Sequence, residues 1–127
     1  MKTIRIVILL VIAVVTISCS NDDEPKNHAP ISEDKEISIS ENSTSDIVAT
    51  IDATDIDGDD LIFAIVSQNP TGSVIINDLT GEVFMADINA FDYEQNTLII
   101  VVVNISDGST TTEMQLTINI LDVNEAD

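Results

Sequence analysis

Carboxylate side chains crowd together in one short stretch of the chain. The sequence ATDIDGDD, residues 53–60, has four aspartates in its last six positions. A turn accounts for Asp57 and Gly58, because glycine accepts a positive φ and aspartate bonds back to the backbone. It does not require aspartates at 55, 59 and 60. A cation held by carboxylate oxygens would account for the crowding, since Ca²⁺ takes about six to eight oxygen ligands.

The elements that must position these carboxylates are β-strands. From residue 36 onward apolar residues recur with a period of two, the pattern of half-buried strands. In TTEMQLTINILD, for example, one side carries Met114, Leu116, Ile118 and Ile120. Helical periodicity of useful length is not found after the first residues. Seven short strands in about 90 residues predict an all-β fold, a seven-stranded antiparallel Greek-key β-sandwich.

Strand direction sorts the acidic loops into two groups. Because successive strands run in opposite directions, loops that precede one strand and follow the next meet at the same end of the sandwich. The longest strand, of about ten residues, separates the two ends by roughly 30 Å. We call one end the C-terminal pole, with Glu41, Asp92, Glu94 and Asp122. The other is the N-terminal pole, with Asn27, Asp55, Asp57 and Asp107.

Six short motifs resemble those of a cadherin repeat, in order and in approximate spacing. They are ENS, ATDIDGD, LTGEV, FDYE, SDG and LDVNEA, and NHAP resembles the linker that opens such a repeat. The resemblance covers Asn27 to Ala126. It implies that the chain is a cadherin-like domain whose Ca²⁺ ions bind at the junctions between tandem repeats. Carried over by position, the implied ligands are Glu41, Asp92, Glu94 and Asp122 at one pole and Asp55, Asp57, Asp107 and Asn27 at the other, with the Asn124 carbonyl and Glu125 near the first group.

The chain holds only one such repeat. Each pole is therefore expected to be a half-site without the ligands of a neighbouring repeat, and binding at about millimolar affinity is the expectation. Asp59 and Asp60 are less favoured as ligands. An EF-hand loop does not fit, because counting from Asp55 puts Asp60 and Val66 where that loop needs glycine and glutamate.

The N-terminus is typical of a secretory signal. Lys2 and Arg5 precede an apolar run over residues 6–17, which is shorter than the about 20 residues that span a bilayer. Ser18-Cys19 resembles the lipobox of bacterial lipoproteins, although Thr16 departs from the usual leucine. CSNDDE resembles the acidic surface signal of Bacteroidetes lipoproteins. A secreted protein and an uncleaved membrane anchor remain as alternatives.

We therefore expect three segments. Residues 1–19 form a lipoprotein signal peptide that ends at the lipidated Cys19, residues 20–35 form an acidic tether, and residues 36–127 form a single cadherin-like domain. The expected location is the outer membrane of the cell, lipid-anchored and surface-exposed. Because Cys19 is the only cysteine, an intrachain disulfide is impossible.

Charge and residue content exclude several classes of function. Residues 20–127 contain all 23 acidic residues against two lysines, which disfavours nucleic acid and anionic lipid as electrostatic partners. A nucleophile elbow and a phosphate-binding loop are lacking, so we do not expect an enzyme. His28, the only histidine, is expected to be a solvated linker residue.

The longest strand predicts one further surface. If its odd-numbered residues face the core, its even-numbered apolar residues face outward beside the neighbouring strand. The residues of this predicted contact surface are Ile62, Val66, Leu98, Ile100 and Val102. A contiguous apolar patch would suit a protein partner or a second copy of the chain. Cover by the tether or by long neighbouring side chains is the alternative.

The sequence therefore favours a calcium-binding adhesion or protein-interaction module, anchored at the cell surface as a lipoprotein. The alternative function is a carbohydrate-binding accessory module of a surface polysaccharide-utilisation system. An inert spacer is a third interpretation.

Overall fold

Two β-sheets built from seven strands make up the part of the chain that the structure describes. The structure is a computed structural model that describes residues 26–123. Its strands are β1 Lys35–Ser40, β2 Ile47–Thr50, β3 Ile62–Asn69, β4 Val74–Ile76, β5 Glu82–Met85, β6 Leu98–Ser106 and β7 Thr111–Leu121. A single 3-10 turn, Ile88–Phe91, lies between β5 and β6. The predicted all-β, seven-stranded fold is confirmed.

The strands are divided four and three. One sheet has the order β1-β7-β6-β3 and the other β2-β5-β4. All pairs are antiparallel except β1 with β7, where Lys35 to Ser40 runs parallel to Leu116 to Leu121. Apolar periodicity indicates which side of a strand is buried but not the direction of its partner. The parallel pairing of β1 with β7 therefore could not be predicted from the sequence.

Alternate residues of the central strands form an aliphatic core. Every second side chain is buried in β6, and in β7 from Met114 to Ile120, and all of β6 pairs with β7. The opposite sheet contributes Val74 and Val83, and the 3-10 turn contributes Phe91, which is fully buried. Phe63 of β3 is buried as well. The core therefore reaches from both sheets to the loop that carries Asp92 and Glu94.

Part of the segment expected to be a tether lies against the domain. Ile31 and Thr54 exchange two backbone hydrogen bonds, of 2.7 and 2.9 Å. Thr112 Oγ1 donates to the Pro30 carbonyl at 2.6 Å. The chain then enters the four-stranded sheet as β1, which begins at Lys35. The contacts of Pro30 and Ile31 bring residues 27 and 28 to the N-terminal pole. Within residues 26–123 there is no helix long and apolar enough to cross a membrane.

Candidate metal sites

The loop after β2 gathers three carboxylates at the N-terminal pole. Asp55 Oδ1 accepts hydrogen bonds from the backbone N–H of Asp57 at 2.8 Å and of Asp59 at 3.3 Å. Gly58 adopts a φ of 79° at the turn, a region that favours glycine. The loop is thereby wrapped around the Asp55 side chain. One carboxylate oxygen from each of Asp55, Asp57 and Asp59 lies within 4.8 Å of the other two.

One oxygen of this cluster is buried without a hydrogen-bond donor. Asp55 Oδ2 has no hydrogen-bond partner among the described residues, although its other oxygen accepts two N–H groups. A buried charged oxygen without a partner is costly. A hard cation with a preference for carboxylate oxygen would supply the missing contact. The residues of this pole thus fit Ca²⁺.

Asp107, which follows β6, lies at the same pole. Its Oδ1 accepts the backbone N–H groups of Ser109 and Thr110, and its Oδ2 accepts Asn27 Nδ2 at 2.9 Å. The Thr110 N–H bond, then the Asn27 bond, holds the pKa of Asp107 far below its usual range. Loss of water contact raises the pKa of Asp59, and the charges of Asp55 and then Asp107 raise it further. The structure therefore brings together the four residues predicted for this pole.

His28 is a member of this group that the sequence did not predict. Its backbone N–H donates to Asp57 Oδ2 at 2.7 Å, and its ring Nδ1 lies 3.0 Å from Asp57 Oδ1. The backbone bond, followed by the ring bond, lowers the pKa of Asp57. His28 is therefore bonded to the domain and differs from a purely solvated linker residue. The only signal in the sequence was its place in NHAP.

Glu41 organises the C-terminal pole. It is only 4% exposed, which is unusual for a carboxylate. Oε1 accepts the backbone N–H of Val123 at 2.8 Å, and Oε2 accepts that of Tyr93 at 3.0 Å. These two bonds, the Val123 bond first, lower the pKa of Glu41. One side chain thus joins the turn after β1 to the loop before β6 and to the segment after β7.

Glu94 and Asp122 complete an acidic group around Glu41. One carboxylate oxygen of each of the three lies within 4.8 Å of the others. Loss of water contact, followed by the charge of Glu41, raises the pKa of Glu94. The group therefore carries mutual repulsion that a divalent cation would relieve.

Asp92 lies beside this group and not in it. Its Oδ1 accepts the Glu94 N–H at 3.0 Å, and its Oδ2 accepts Gln95 Nε2 at 3.1 Å. The N–H groups of Val123 and Tyr93 lower the pKa of Glu41, and the charge of Asp92 acts in the opposite direction with a smaller effect. Asp92, a predicted ligand, shapes the loop here. Asp59, which the sequence favours less as a ligand, belongs to the N-terminal cluster. The ligand roles themselves stay predictions. Asn124, Glu125 and Cys19 lie outside the described residues.

A comparison with family models decides where this architecture belongs. The cadherin domain model matches residues 35–121. The chain belongs to the cadherin family. No curated protein matches it.

Solved cadherin structures share the fold. Mouse cadherin-23 EC22-24 superposes with a TM-score of 0.66 at 22% identity, covering 79% of this chain and 35% of that chain. Drosophila N-cadherin EC1-4 gives 0.63 at 26% identity, covering 78% and 26%. Human protocadherin-24 EC1-2 gives 0.59 at 22%, covering 69% and 41%. The cadherin domain described here thus spans less than half the length of each of these structures.

Polar side chains border the predicted contact surface on β6 of this cadherin domain. Ile100 pairs with Asn69 on one side and Thr117 on the other, and Val102 pairs with Ser67 and Gln115. A bulge between Ile65 and Ser67 shifts the register of β3, and Ile62 pairs with Ser106 at the far end. Leu98, Ile100 and Val102 are consecutive outward positions of β6, whereas Ile62 lies beyond Asn104 at the other end of the strand. Of the five apolar residues, Ile62, Val66 and Leu98 are exposed. Their role in a contact stays a prediction.

An uninterrupted apolar row lies on the outer face of the other sheet. Phe84 of β5 pairs with Ile47 of β2 and with Ile75 of β4. Ile47 is 45% exposed and Ile75 is 58% exposed. Ile47 shares no face with Ala49, because the register of β2 shifts between them. That shift has no signature in the alternating sequence pattern.

Proposed function

We propose that the cadherin domain binds Ca²⁺ at both poles and acts as an adhesion or protein-interaction module on the cell surface. The observation that carries the proposal is the buried Asp55 Oδ2, which has no hydrogen-bond donor among the described residues and belongs to a three-carboxylate cluster. Membership of the cadherin family supports an interaction role rather than an enzyme.

The residues of each pole would hold the ion in different ways. At the N-terminal pole Asp55, Asp57 and Asp59 would supply carboxylate oxygens, with Asp107 and Asn27 adjoining. At the C-terminal pole Glu41, Glu94 and Asp122 would do so, with Asp92 adjoining. When bound, Ca²⁺ supplies positive charge that offsets the repulsion between these carboxylates. The chain's own residues orient the oxygens and join the loops, so the expected consequence is a more rigid end to the domain.

A thermal melt of the full chain in a non-ionic detergent tests this proposal. Two sites with a Kd of about 1 mM would together add about 2.8 kcal/mol at about 10 mM Ca²⁺. That should raise the midpoint by about 10 °C relative to EDTA. Mg²⁺ at matched ionic strength is the control, because it accommodates irregular multidentate sites poorly. Equal effects of the two ions would mean charge screening alone and would contradict the proposal.

Two substitutions assign the effect to a pole. Asp55→Asn should remove part of the Ca²⁺ response at the N-terminal pole, and Glu94→Gln should remove part at the C-terminal pole. Glu113→Gln is a matched control, because Glu113 is exposed in β7 and belongs to neither cluster. An undiminished response in the double variant Asp55→Asn/Glu94→Gln would place the ions elsewhere.

The membrane anchor is a separate part of the proposal. It is supported by the signal-like N-terminus and by the single cysteine that ends it. Intact-mass analysis of the chain made in a bacterium that processes lipoproteins should show cleavage before Cys19 and an added lipid. Cys19→Ala should abolish both. A cleaved protein without lipid would indicate secretion, and an uncleaved one would indicate a membrane segment.

Bead aggregation tests the interaction role. Beads coated with the domain should aggregate, or should capture cells, in Ca²⁺ and not in EDTA. A groove of about 330 Å³ formed by residues 31–35 and 52–54 gives the carbohydrate alternative no support, because none of these residues is aromatic. Binding to a glycan array without bead aggregation would favour that alternative. Failure of both assays would favour an inert spacer.

A further inference from the structure

Both oxygens of Asp57 are held by one residue of the linker. The backbone N–H of His28 contacts Oδ2 at 2.7 Å and the ring Nδ1 contacts Oδ1 at 3.0 Å. Because a carboxylate only accepts hydrogen bonds, Nδ1 carries the proton in this contact. Two donors from one residue fix both the plane and the rotamer of the Asp57 carboxylate.

We propose that His28 is a positioning residue, which holds Asp57 in the orientation that binds the cation of the N-terminal pole. This inference rests on the proposed function, because it assigns a role at the same site. Each carboxylate oxygen can accept more than one contact, so the two N–H groups leave Asp57 able to bind an ion. A ligand that is already fixed loses less side-chain freedom when the ion arrives.

The linker around His28 is itself anchored. Asn27 Nδ2 donates to Asp107 Oδ2 at 2.9 Å and to Thr110 Oγ1 at 3.3 Å. On the other side, the Pro30 carbonyl accepts the Thr112 hydroxyl, and Ile31 pairs with Thr54. His28 lies between these attachments, so its backbone N–H is presented to Asp57 by a fixed segment.

The C-terminal pole has the same arrangement with a different donor. Glu41 is held at both oxygens as well, by the backbone N–H groups of Val123 and Tyr93. Each three-carboxylate group therefore contains a member, Asp57 or Glu41, whose two oxygens both accept N–H groups from another segment of the chain. At the N-terminal pole one of the two donors is a side chain, so substitution can remove it without changing the backbone.

Four variants separate positioning from general structure. His28→Asn keeps an N–H donor attached to Cγ, where Nδ1 is attached in histidine, whereas His28→Gln moves the donor one bond outward. His28→Ala removes it. Lys26→Ala, an exposed neighbour outside both clusters, is the control. The full chain would be titrated with Ca²⁺ at one pH in a non-ionic detergent, and the amide NMR signals of Gly58 and Gly108 would report the N-terminal pole.

The expected result is a loss at one pole only. His28→Ala and His28→Gln should weaken the N-terminal pole by about tenfold, the lower end of the effect of removing an outer-shell partner. His28→Asn and Lys26→Ala should bind like the original chain. The Glu94 amide should give an unchanged affinity at the C-terminal pole. In EDTA, exchange of the His28 amide hydrogen should be slow and should become faster in Asp57→Asn.

The outcomes distinguish this inference from the proposed function. Equal or tighter binding at the N-terminal pole in His28→Ala, with a normal response of the original chain, would overturn only the role of His28. A weakening that His28→Asn does not rescue would also overturn it. No response at either pole of the original chain would overturn the proposed function, and the inference with it.

Discussion

Glu41 Oε1 accepts the backbone N–H of Val123 at 2.8 Å, across 82 positions of the chain. The other oxygen of Glu41 accepts the N–H of Tyr93 at 3.0 Å. A single buried carboxylate therefore satisfies backbone donors from two segments that meet at the C-terminal pole. Glu41 joins the loops of this pole before any ion is considered.

Replacing Glu41 by glutamine should destabilise the metal-free protein. A side-chain amide has one oxygen to accept with, so one of the two backbone N–H groups would face an NH₂ group and lose its acceptor. The thermal midpoint in EDTA should fall by about 5 °C. Glu113→Gln should leave it unchanged. An unchanged midpoint for Glu41→Gln would show that the loops are held together without this side chain.

Gly81 should be less replaceable than Gly72. Both have a φ of 78°, so alanine at either position should cost about 1–2 kcal/mol from backbone conformation alone. At Gly81 an added Cβ would also lie 2.9 Å from the Ile51 carbonyl oxygen, whereas at Gly72 no atom of the described residues beyond its two neighbours in the chain lies within 4 Å. In urea unfolding, the free energy of unfolding of Gly72→Ala should exceed that of Gly81→Ala by at least about 1 kcal/mol. Equal losses would mean that the Ile51 backbone yields freely.

The positions of the poles could be predicted because they follow from strand order. Asp55 and Asp107 follow β2 and β6, which run in the same direction, so the sandwich must bring them to one end. Glu41 and Glu94, in turn, precede those two strands. The register inside each sheet could not be predicted, since it depends on a bulge near Val66 that alternation does not report. The shift of one residue puts Ser67, and not Val66, opposite Val102.

The contacts that Asn27 and His28 of the linker make with the domain also could not be predicted from the sequence. Polar, proline-containing residues before a domain usually indicate a flexible segment. His28 and Asn27 instead bond to Asp57 and Asp107, which stand 29 and 80 positions away. Local composition carries no information about such distant acceptors. The placement of Asp59 is not predictable for a related reason, because it depends on how the loop wraps around Asp55.

Phe91 should couple core packing to the C-terminal pole. It is fully buried in the 3-10 turn, and Asp92 follows it directly. Phe91→Ala should cost about 3–5 kcal/mol of stability, measured by urea unfolding in EDTA. The Ca²⁺ response of the Glu94 amide should weaken in the same variant, because the loop loses its anchor. Ile88→Ala is the matched control, since Ile88 lies in the same turn and is 65% exposed. An unaltered Glu94 response would show that packing of Phe91 in the core does not affect Ca²⁺ binding at the C-terminal pole.

The metal-free protein should gain stability as the pH falls toward about 4.5, the ordinary pKa of a glutamate. The pKa values of Asp59 and Glu94 are raised, so between their ordinary and raised values the folded chain binds more protons than the unfolded chain. Protonation there relieves repulsion and favours folding. Below about pH 4 the direction reverses, because the lowered pKa values of Glu41, Asp57 and Asp107 mean that the unfolded chain takes up protons first.

Calcium should remove this rise in stability on acidification. An ion bound at the poles keeps Glu94 and Asp59 ionised, so protons then compete with the ion and acidification lowers stability. Urea unfolding across pH 3 to 8, in EDTA and in Ca²⁺, would give the two curves. Glu94→Gln should flatten the rise in EDTA, since the variant has no carboxyl group to protonate there, whereas Glu113→Gln should retain it. A metal-free stability that falls steadily from pH 7 would show that the repulsion at the poles is too weak to matter.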